Sequence, residues 1–289
     1  MRIATHTAGR WPDLDPDDFD VLLSADPDPP PPWVGLGDKF QDMADAVARA
    51  CREQPVASQV VAQLLRTTLR LDFEAALETE SMAYSMLLAS EAFRSWRAGT
   101  PVRATADPDA PRVLMREEQG AIVIHLNRPA KRNAFDAAMR DALCAALEFA
   151  LQDPDQRPVI LSGDGPAFSA GGDLDEFGAA KDPAAAHLIR LQQSPVRLAH
   201  QLDARLTVRL HGACVGAGIE LAAAAARVVA REGAFFRLPE LSMGLIPGAG
   251  GTATITRRIG RHRAAYMALS GADIDLATAL RWGLIDAVA

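Results

Sequence analysis

Cysteine, lysine, tyrosine and long apolar runs are all scarce in this chain of 289 residues. Three cysteines (Cys51, Cys144 and Cys214) are too few and too scattered for a disulfide scaffold, and none has paired metal-ligand spacing. No metal site is expected, and the reducing cytoplasm is the expected compartment. Lysine occurs only at Lys39, Lys131 and Lys181, so the basic residues are nearly all arginine. Beside so much alanine and proline, that reads as compositional bias rather than a phosphate-binding device. The net charge of −7 argues against a general polyanion-binding surface, so no nucleic-acid partner is expected. The most apolar stretch, Leu221–Ala230, is interrupted by Arg227 and falls well short of the ~20 residues a membrane span needs. The N-terminus offers a Trp-Pro and clustered aspartates where a signal peptide would need a basic start, so no membrane partner is expected either.

What is present divides in two. Residues 1–37 are rich in Asp and Pro, with Asp26–Pro32 reading DPDPPPP, and are expected to be extended or disordered. From Asp38 to about Ala98, Val47, Val61, Leu64, Leu65, Phe73, Leu77, Tyr84 and Leu88 recur at three- and four-residue steps, which predicts helices. Pro55 separates two of them, Gly99-Thr-Pro101 stops the last, and Asp107–Pro111 reads as a linker. Residues 38–111 thus form a helical region and linker, and 112–289 a second part. The charge changes there too: 1–111 holds 10 basic and 18 acidic residues, 112–289 holds 20 and 19. A near-neutral second part can accept an anionic ligand that the chain total would hide.

After residue 111 the pattern alternates between strand and helix. Arg112–Glu117 and Ala121–Leu126 read as paired strands around Glu118-Gln-Gly120, and Asp136 caps a helix running to about Gln152. Pro158–Leu161 and Leu206–Leu210 are short buried strands, each entering a glycine-rich loop, in a layered α/β core. Val228–Arg231 and Ala234–Arg237 read as a strand pair that returns the chain toward Glu240.

Three glycine-rich segments concentrate the chemistry: Gly163-Asp-Gly-Pro-Ala-Phe-Ser-Ala-Gly-Gly-Asp-Leu174, His211-Gly-Ala-Cys-Val-Gly-Ala-Gly-Ile-Glu220, and Leu238-Pro-Glu-Leu-Ser-Met-Gly-Leu-Ile-Pro-Gly-Ala-Gly-Gly-Thr252. No Gly-Lys-Ser/Thr makes a Walker loop. Gly248–Ala253 fits G-x-G-x-x-A, but Pro247 stands where the preceding strand should run. Ser169 is one residue short of a nucleophile elbow, and its pairing with a later His262 is weak evidence for a serine hydrolase. Glycine-rich strand-to-helix loops leave backbone N–H groups free at a helix start. Two such loops, around Gly172 and Ala217, would form an oxyanion pocket. Glu220 follows Ala217 by three residues and Glu240 follows by twenty more, a pair suited to acid–base work beside a carbonyl. Alone, Glu220 would be read as helix-start charge compensation.

Taken together, Leu126-Asn-Arg-Pro with Asn133-Ala134, Phe168-Ser-Ala-Gly-Gly-Asp-Leu174, Gly216-Ala-Gly-Ile-Glu-Leu221 and the Leu238–Thr252 segment make residues 112–289 resemble the crotonase superfamily, that is, enoyl-CoA hydratase/isomerase. The resemblance implies a ββα superhelix core, here preceded by an α-helical N-terminal region, and an acyl-CoA substrate. It implies an oxyanion hole from Gly172 and Ala217, with Glu220 activating water and Glu240 delivering a proton. It further implies coenzyme A contacts from Lys131, Arg132, Ala134, Ala170, Asp173 and Leu174. The family uses no cofactor beyond the coenzyme A of its substrate, and it implies a homo-oligomer, a trimer or hexamer. Hydration of a 2-enoyl-CoA is the expected reaction. Isomerisation, thioester hydrolysis and cofactor-free oxygenation of an aryl-acetyl-CoA are alternatives on the same scaffold, and a non-catalytic binding protein is a second alternative.

Three positions depart from the family pattern. Asp175 and Glu176 stand where a basic residue is usual, His211-Gly212 replaces Asn-Gly, and Ala226 replaces an aspartate. The Leu276–Val288 run normally precedes further helices that cover the site. The helices at about 38–98 are expected to supply that cover here.

Overall fold

The computed structural model of this chain describes residues 1–102, 110–180 and 182–289. Residues 1–37, expected to be extended or disordered, carry three short extended strands. Strands β1 (Ile3–His6), β2 (Val21–Ser24) and β3 (Val34–Gly35) form a small parallel sheet. The aspartates and prolines that dominate the average composition are confined to its turns: Asp15 accepts from the Asp17 amide, and Asp26 from the Asp28 amide. The strands themselves are apolar, and Val21, Leu22 and Leu23 are fully buried. A four-residue apolar strand vanishes in an average over 37 residues, yet it suffices where a neighbour covers both faces. On one face Leu22 packs with Trp33, and the His6 ring stacks on Trp11 at 3.9 Å.

Four helices follow: α1 (Phe40–Glu53), α2 (Pro55–Thr68), α3 (Phe73–Leu88) and α4 (Glu91–Gly99). Pro55 opens α2, where its missing N–H costs nothing. Asp72 and Ser90 cap α3 and α4 by accepting the amides of Ala75 and Phe93. Residues 107–109 of the expected linker lie outside the described residues.

The second part is built on a hairpin, β4 (Val113–Glu118) and β5 (Ala121–Leu126), turned through Gln119 and Gly120 in the left-handed region. Helix α5 (Ala137–Leu151) starts at Asp136, whose carboxylate accepts the Met139 amide at 2.7 Å. Then come β6 (Val159–Gly163), α6 (Pro183–Gln192), α7 (Pro195–Gln201), β7 (Leu206–Leu210), β8 (Ala213–Val215) and α8 (Ala217–Ala222). The chain ends through β9 (Arg227–Ala230), β10 (Phe235–Arg237), α9 (Gly251–Ile259), α10 (Arg261–Ser270), β11 (Ile274–Asp275), α11 (Leu276–Trp282) and β12 (Ala287–Val288).

A six-stranded sheet runs in the order β12-β9-β7-β6-β5-β4, parallel except for the β4–β5 hairpin, and a smaller sheet runs β11-β10-β8. The two strands expected to pair with each other are therefore in different sheets. β9 adds to β7, and β10 adds in parallel to β8. Alternating burial marks both as strands, but it says nothing about which neighbour each will take. That split is what carries the chain from the large sheet across the small one to Glu240.

One hydrophobic core runs through both parts, from Val21 and Leu65 to Phe236 and Ile285. Helices α2 and α3 pack on α9, and α1 and α2 on α10. Asp20 fastens the N-terminal sheet to this assembly. Its buried carboxylate accepts the Arg2 amide and both Nε and Nη2 of Arg66, at 2.6 to 2.7 Å. Asp20→Asn keeps the shape but removes the charge from this bidentate pair. An expected loss of about 2 kcal/mol would appear as a lower urea midpoint at unchanged slope; an unmoved midpoint would show that the pair adds nothing.

Candidate active site

The site begins with the chain segment after β5. Arg132 and Asn133 both adopt left-handed backbone, with φ of 50° and 53°. Asn133 is fully buried, and its amide is fully used: Oδ1 accepts from Arg128 N, while Nδ2 donates to Asp164 O and Ala167 O at 2.9 Å. The side chain thereby pins the first glycine-rich loop to the hairpin. A Cβ at Gly163 would fall 2.9 Å from Asn133 Nδ2 and 2.7 Å from Phe168 O, so that position tolerates only hydrogen.

The first and second glycine-rich loops lie against each other. Ser169 N donates to Ala213 O, and Val215 N donates to Ser169 O at 3.0 Å. Gly171 and Gly218 permit this approach, since a Cβ at either would lie 2.9 Å from Val215 O or from Ser169. Ser169 is fully buried, donates to Asn133 O and accepts the Gly171 amide. His262 is bound through Nε2 to Pro16 O. The serine-hydrolase pairing is therefore not assembled, and Ser169 serves to shape the loop.

Gly172 is bridged to Phe135 by bonds from its two neighbours: Phe135 N donates to Gly171 O, and Asp173 N to Phe135 O. Its own N–H finds no acceptor among the described residues. The same holds for the N–H of Ala217, the first residue of α8. Gly172, Ala217, Glu220, Glu240 and Asp173 border one cavity of about 990 Å³.

The other expected coenzyme A residues do not border it. Lys131 pairs with Asp175 at 2.9 Å, which uses the acidic residue that departs from the family pattern. Glu176 accepts the Ala137 amide at the start of α5. Arg132 and Leu174 are exposed, while Ala134 is buried. Ala170 is half-buried, its amide donating to Arg132 O. The Asp173 carboxylate is held by Arg128 at 2.8 Å, an ion pair that orients the Gly172 loop.

The two expected glutamates are 1% and 7% exposed, so their protonation follows from protein groups rather than bulk water. Glu220 Oε2 accepts the amides of Ala249 and Gly251, both at 2.8 Å. Its Oε1 has no protein partner among the described residues. Burial, then the Glu240 carboxylate, then a third carboxylate at Glu80 push Glu220 far above the usual range, and the two amides offset part of this. Burial raises Glu240 to about 8, with Glu80 adding to it against its own backbone N–H. Glu240 Oε2 is buried without a partner among the described residues. Glycine is required beside both: a Cβ at Gly216 would lie 2.6 Å from Glu240 Oε1, and one at Gly251 would lie 2.6 Å from Glu220 Cγ.

Sequence reading missed the groups that α3 and α6 contribute. Glu80 and Tyr84, one helical turn apart on α3, and Arg190 on α6 all line the cavity. The Tyr84 ring lies close against Gly248, where a Cβ would fall 2.2 Å from Cδ2. Arg190 lies 5.0 Å over that ring and donates to Ser81 and Ser85. A usable signal was present: Glu80 falls on the stripe of Leu77, Tyr84 and Leu87, where a carboxylate is out of place. From α4, Arg97 donates to Leu174 O at 2.6 Å and so holds the segment after Gly172. Residues of α3 and α4 thus line one wall of the cavity.

Comparison with known proteins identifies the family of the second part. Residues 116–289 match the enoyl-CoA hydratase/isomerase family. The chain is 38% identical to the 2,3-dehydroadipyl-CoA hydratase of Escherichia coli over 61% of its own length and 68% of that protein. It is 39% identical to a probable enoyl-CoA hydratase of Rhodobacter capsulatus over 58% and 64% respectively. The chain thus spans about two thirds of the relatives it matches. An enoyl-CoA hydratase from Thermoplasma volcanium superposes with a TM-score of 0.58 at 33% identity, covering 62% of this chain and 72% of that one. By its fold, its paired glycine-rich loops and this match, the chain belongs to the enoyl-CoA hydratase/isomerase family.

Proposed function

We propose that this chain hydrates a 2-enoyl-CoA through an enolate held by the Gly172 and Ala217 amides. The observation that carries the reading is the pair of buried glutamates, unequal in hydrogen bonding, beside two N–H groups without acceptors among the described residues. Amides fixed by the fold stabilise negative charge on the thioester oxygen at no cost of reorganisation. Two carboxylates this buried and this close do not both ionise, so the pair holds one proton. Burial and the neighbouring carboxylates raise Glu220 even against its two amides. We nevertheless assign the proton to Glu240, because two amides at 2.8 Å favour a carboxylate at Glu220, whereas Glu240 Oε2 has no donor among the described residues.

Glu220 then takes a proton from water through its free Oε1 as the oxygen adds to the β-carbon. The electron pair moves to the thioester oxygen, and Glu240 delivers its proton to the α-carbon as the enolate collapses. Beyond water and the enoyl-CoA itself, this sequence of steps uses no further non-protein group. The same reading includes work in the cytoplasm as a homo-oligomer. The exposed Met82, Met86, Leu188 and Ile189 on the adjoining helices α3 and α6 support association.

Loss of the conjugated enoyl absorbance on incubation with a 2-enoyl-CoA tests the reading directly. Glu220→Gln and Glu240→Gln are each expected to lower kcat about 1000-fold with little change in KM; full turnover in either variant rejects the assignment. Gly251→Ala inserts a methyl against the Glu220 stem and is expected to cost roughly 100-fold in kcat by displacing the carboxylate. Wild-type kcat in that variant would show that the position of Glu220 is not limiting.

A further inference from the structure

Glu80 lies outside the residues that match the family, on a helix of the N-terminal part, yet it is 2% exposed and borders the catalytic cavity. Its partners explain why it is tolerated there. Oε1 accepts Gly250 N at 2.6 Å; Oε2 accepts Thr252 N at 2.8 Å and Thr252 Oγ1 at 2.6 Å. Glu220 takes the amides of Ala249 and Gly251 from the same turn. Four successive N–H groups at the start of α9 are therefore shared alternately, two for each carboxylate. Neither glutamate can move without releasing donors that have no other acceptor among the described residues. Because both oxygens of Glu80 receive N–H donors, the site suits an ionised carboxylate.

We propose that Glu80 is a positioning residue of the active centre, a fixed anion that confines Glu220 to its two amides and keeps one proton on the Glu220–Glu240 pair. The charged and titratable groups around it are few. Tyr84 comes from its own helix, Glu220 from α8, Glu240 from the turn after β10 and Arg190 from α6. Burial raises Glu80 to about 7, against three donors and Arg190 that favour the charge. With Glu80 ionised, its charge makes a second charge on the pair harder to form, so one member stays an acid while the other serves as base. The inference builds on the proposed hydration, but the charge coupling itself can be measured without turnover.

Titration of protein carrying ¹³C at the glutamate carboxyl carbons, with Glu220 assigned through Glu220→Gln, is the direct experiment. In Glu80→Gln the Glu220 midpoint is expected to fall by about one pH unit or more, since a neighbouring negative charge has gone. Glu80→Asp retains the charge and is expected to keep the midpoint within a few tenths of a unit. In turnover, both limbs of the kcat profile of Glu80→Gln should move to lower pH while KM holds. An unmoved Glu220 midpoint in folded Glu80→Gln, or an equal fall in Glu80→Asp, overturns the proposal. Should Glu80→Gln fail to fold, Thr252→Val removes one donor from Glu80. Its titration should then rise by about half a unit with a change at Glu220; no change at either overturns the proposal. A coupled Glu220 in a wild type that hydrates nothing would leave this inference standing and reject only the hydratase reading.

Discussion

Four backbone amides, from Ala249 to Thr252, constrain more of this molecule than any other group. They open helix α9, where an α-helix leaves its first N–H groups without partners. Gly250, Gly251 and Thr252 are buried and Ala249 is half-buried, and an unpaired buried amide costs about 1–3 kcal/mol. Two carboxylates satisfy them alternately, Glu220 from α8 and Glu80 from α3. Satisfying the helix start thus draws together an element of the family core and an element outside the family match. It also places negative charge where the macrodipole of α9 is positive. The requirement is reciprocal, because the amides are what make two buried carboxylates tolerable so near each other and so near Glu240.

That constraint explains which parts of the site were legible in the sequence. Gly172, Ala217, Glu220 and Glu240 stand in segments whose glycines do local work: a Cβ at Gly171, Gly216, Gly218 or Gly251 would strike a neighbour, so the pattern of small residues is itself a record of close approach. Glu80 carries no such record. Its partners are 170 residues away, and helix α3 would form whether or not they were there. Its one local mark is polarity on a face that is otherwise apolar, and helical periodicity treats that as noise. Lys131 shows the converse. Its position in the motif implied a ligand contact, but Asp175, reached only after folding, takes its charge.

The fold shows the same division. Asp136, Pro55 and the Glu118–Gly120 turn act within a few residues, and each forms the element expected of it. Strands β9 and β10 are recognisable as strands from their own residues, but sheet membership depends on what arrives beside them. The first 37 residues are the extreme case. Their strands are only two to four residues long, and they persist because Asp20 grips Arg66 on α2 and because neighbours bury Val21 and Leu23. No composition average reports a strand stabilised from outside itself.

Helix α9 also settles how the two parts of the chain are joined. Its last turn mirrors its first with opposite charge. Arg257 donates to Thr68 O and Leu71 O at the end of α2, and Arg258 to Ala223 O and Ala225 O just beyond α8. The N-terminal helices and the family core therefore meet at both ends of one nine-residue helix, acids at its positive end and arginines at its negative end. A boundary drawn near residue 111 by charge and composition marks a change in sequence character, not a mechanical seam. Motion of α3 relative to the core would have to release Glu80 from the turn whose amides also position Glu220, so the helical wall and the Glu220 carboxylate are coupled through a single turn of backbone.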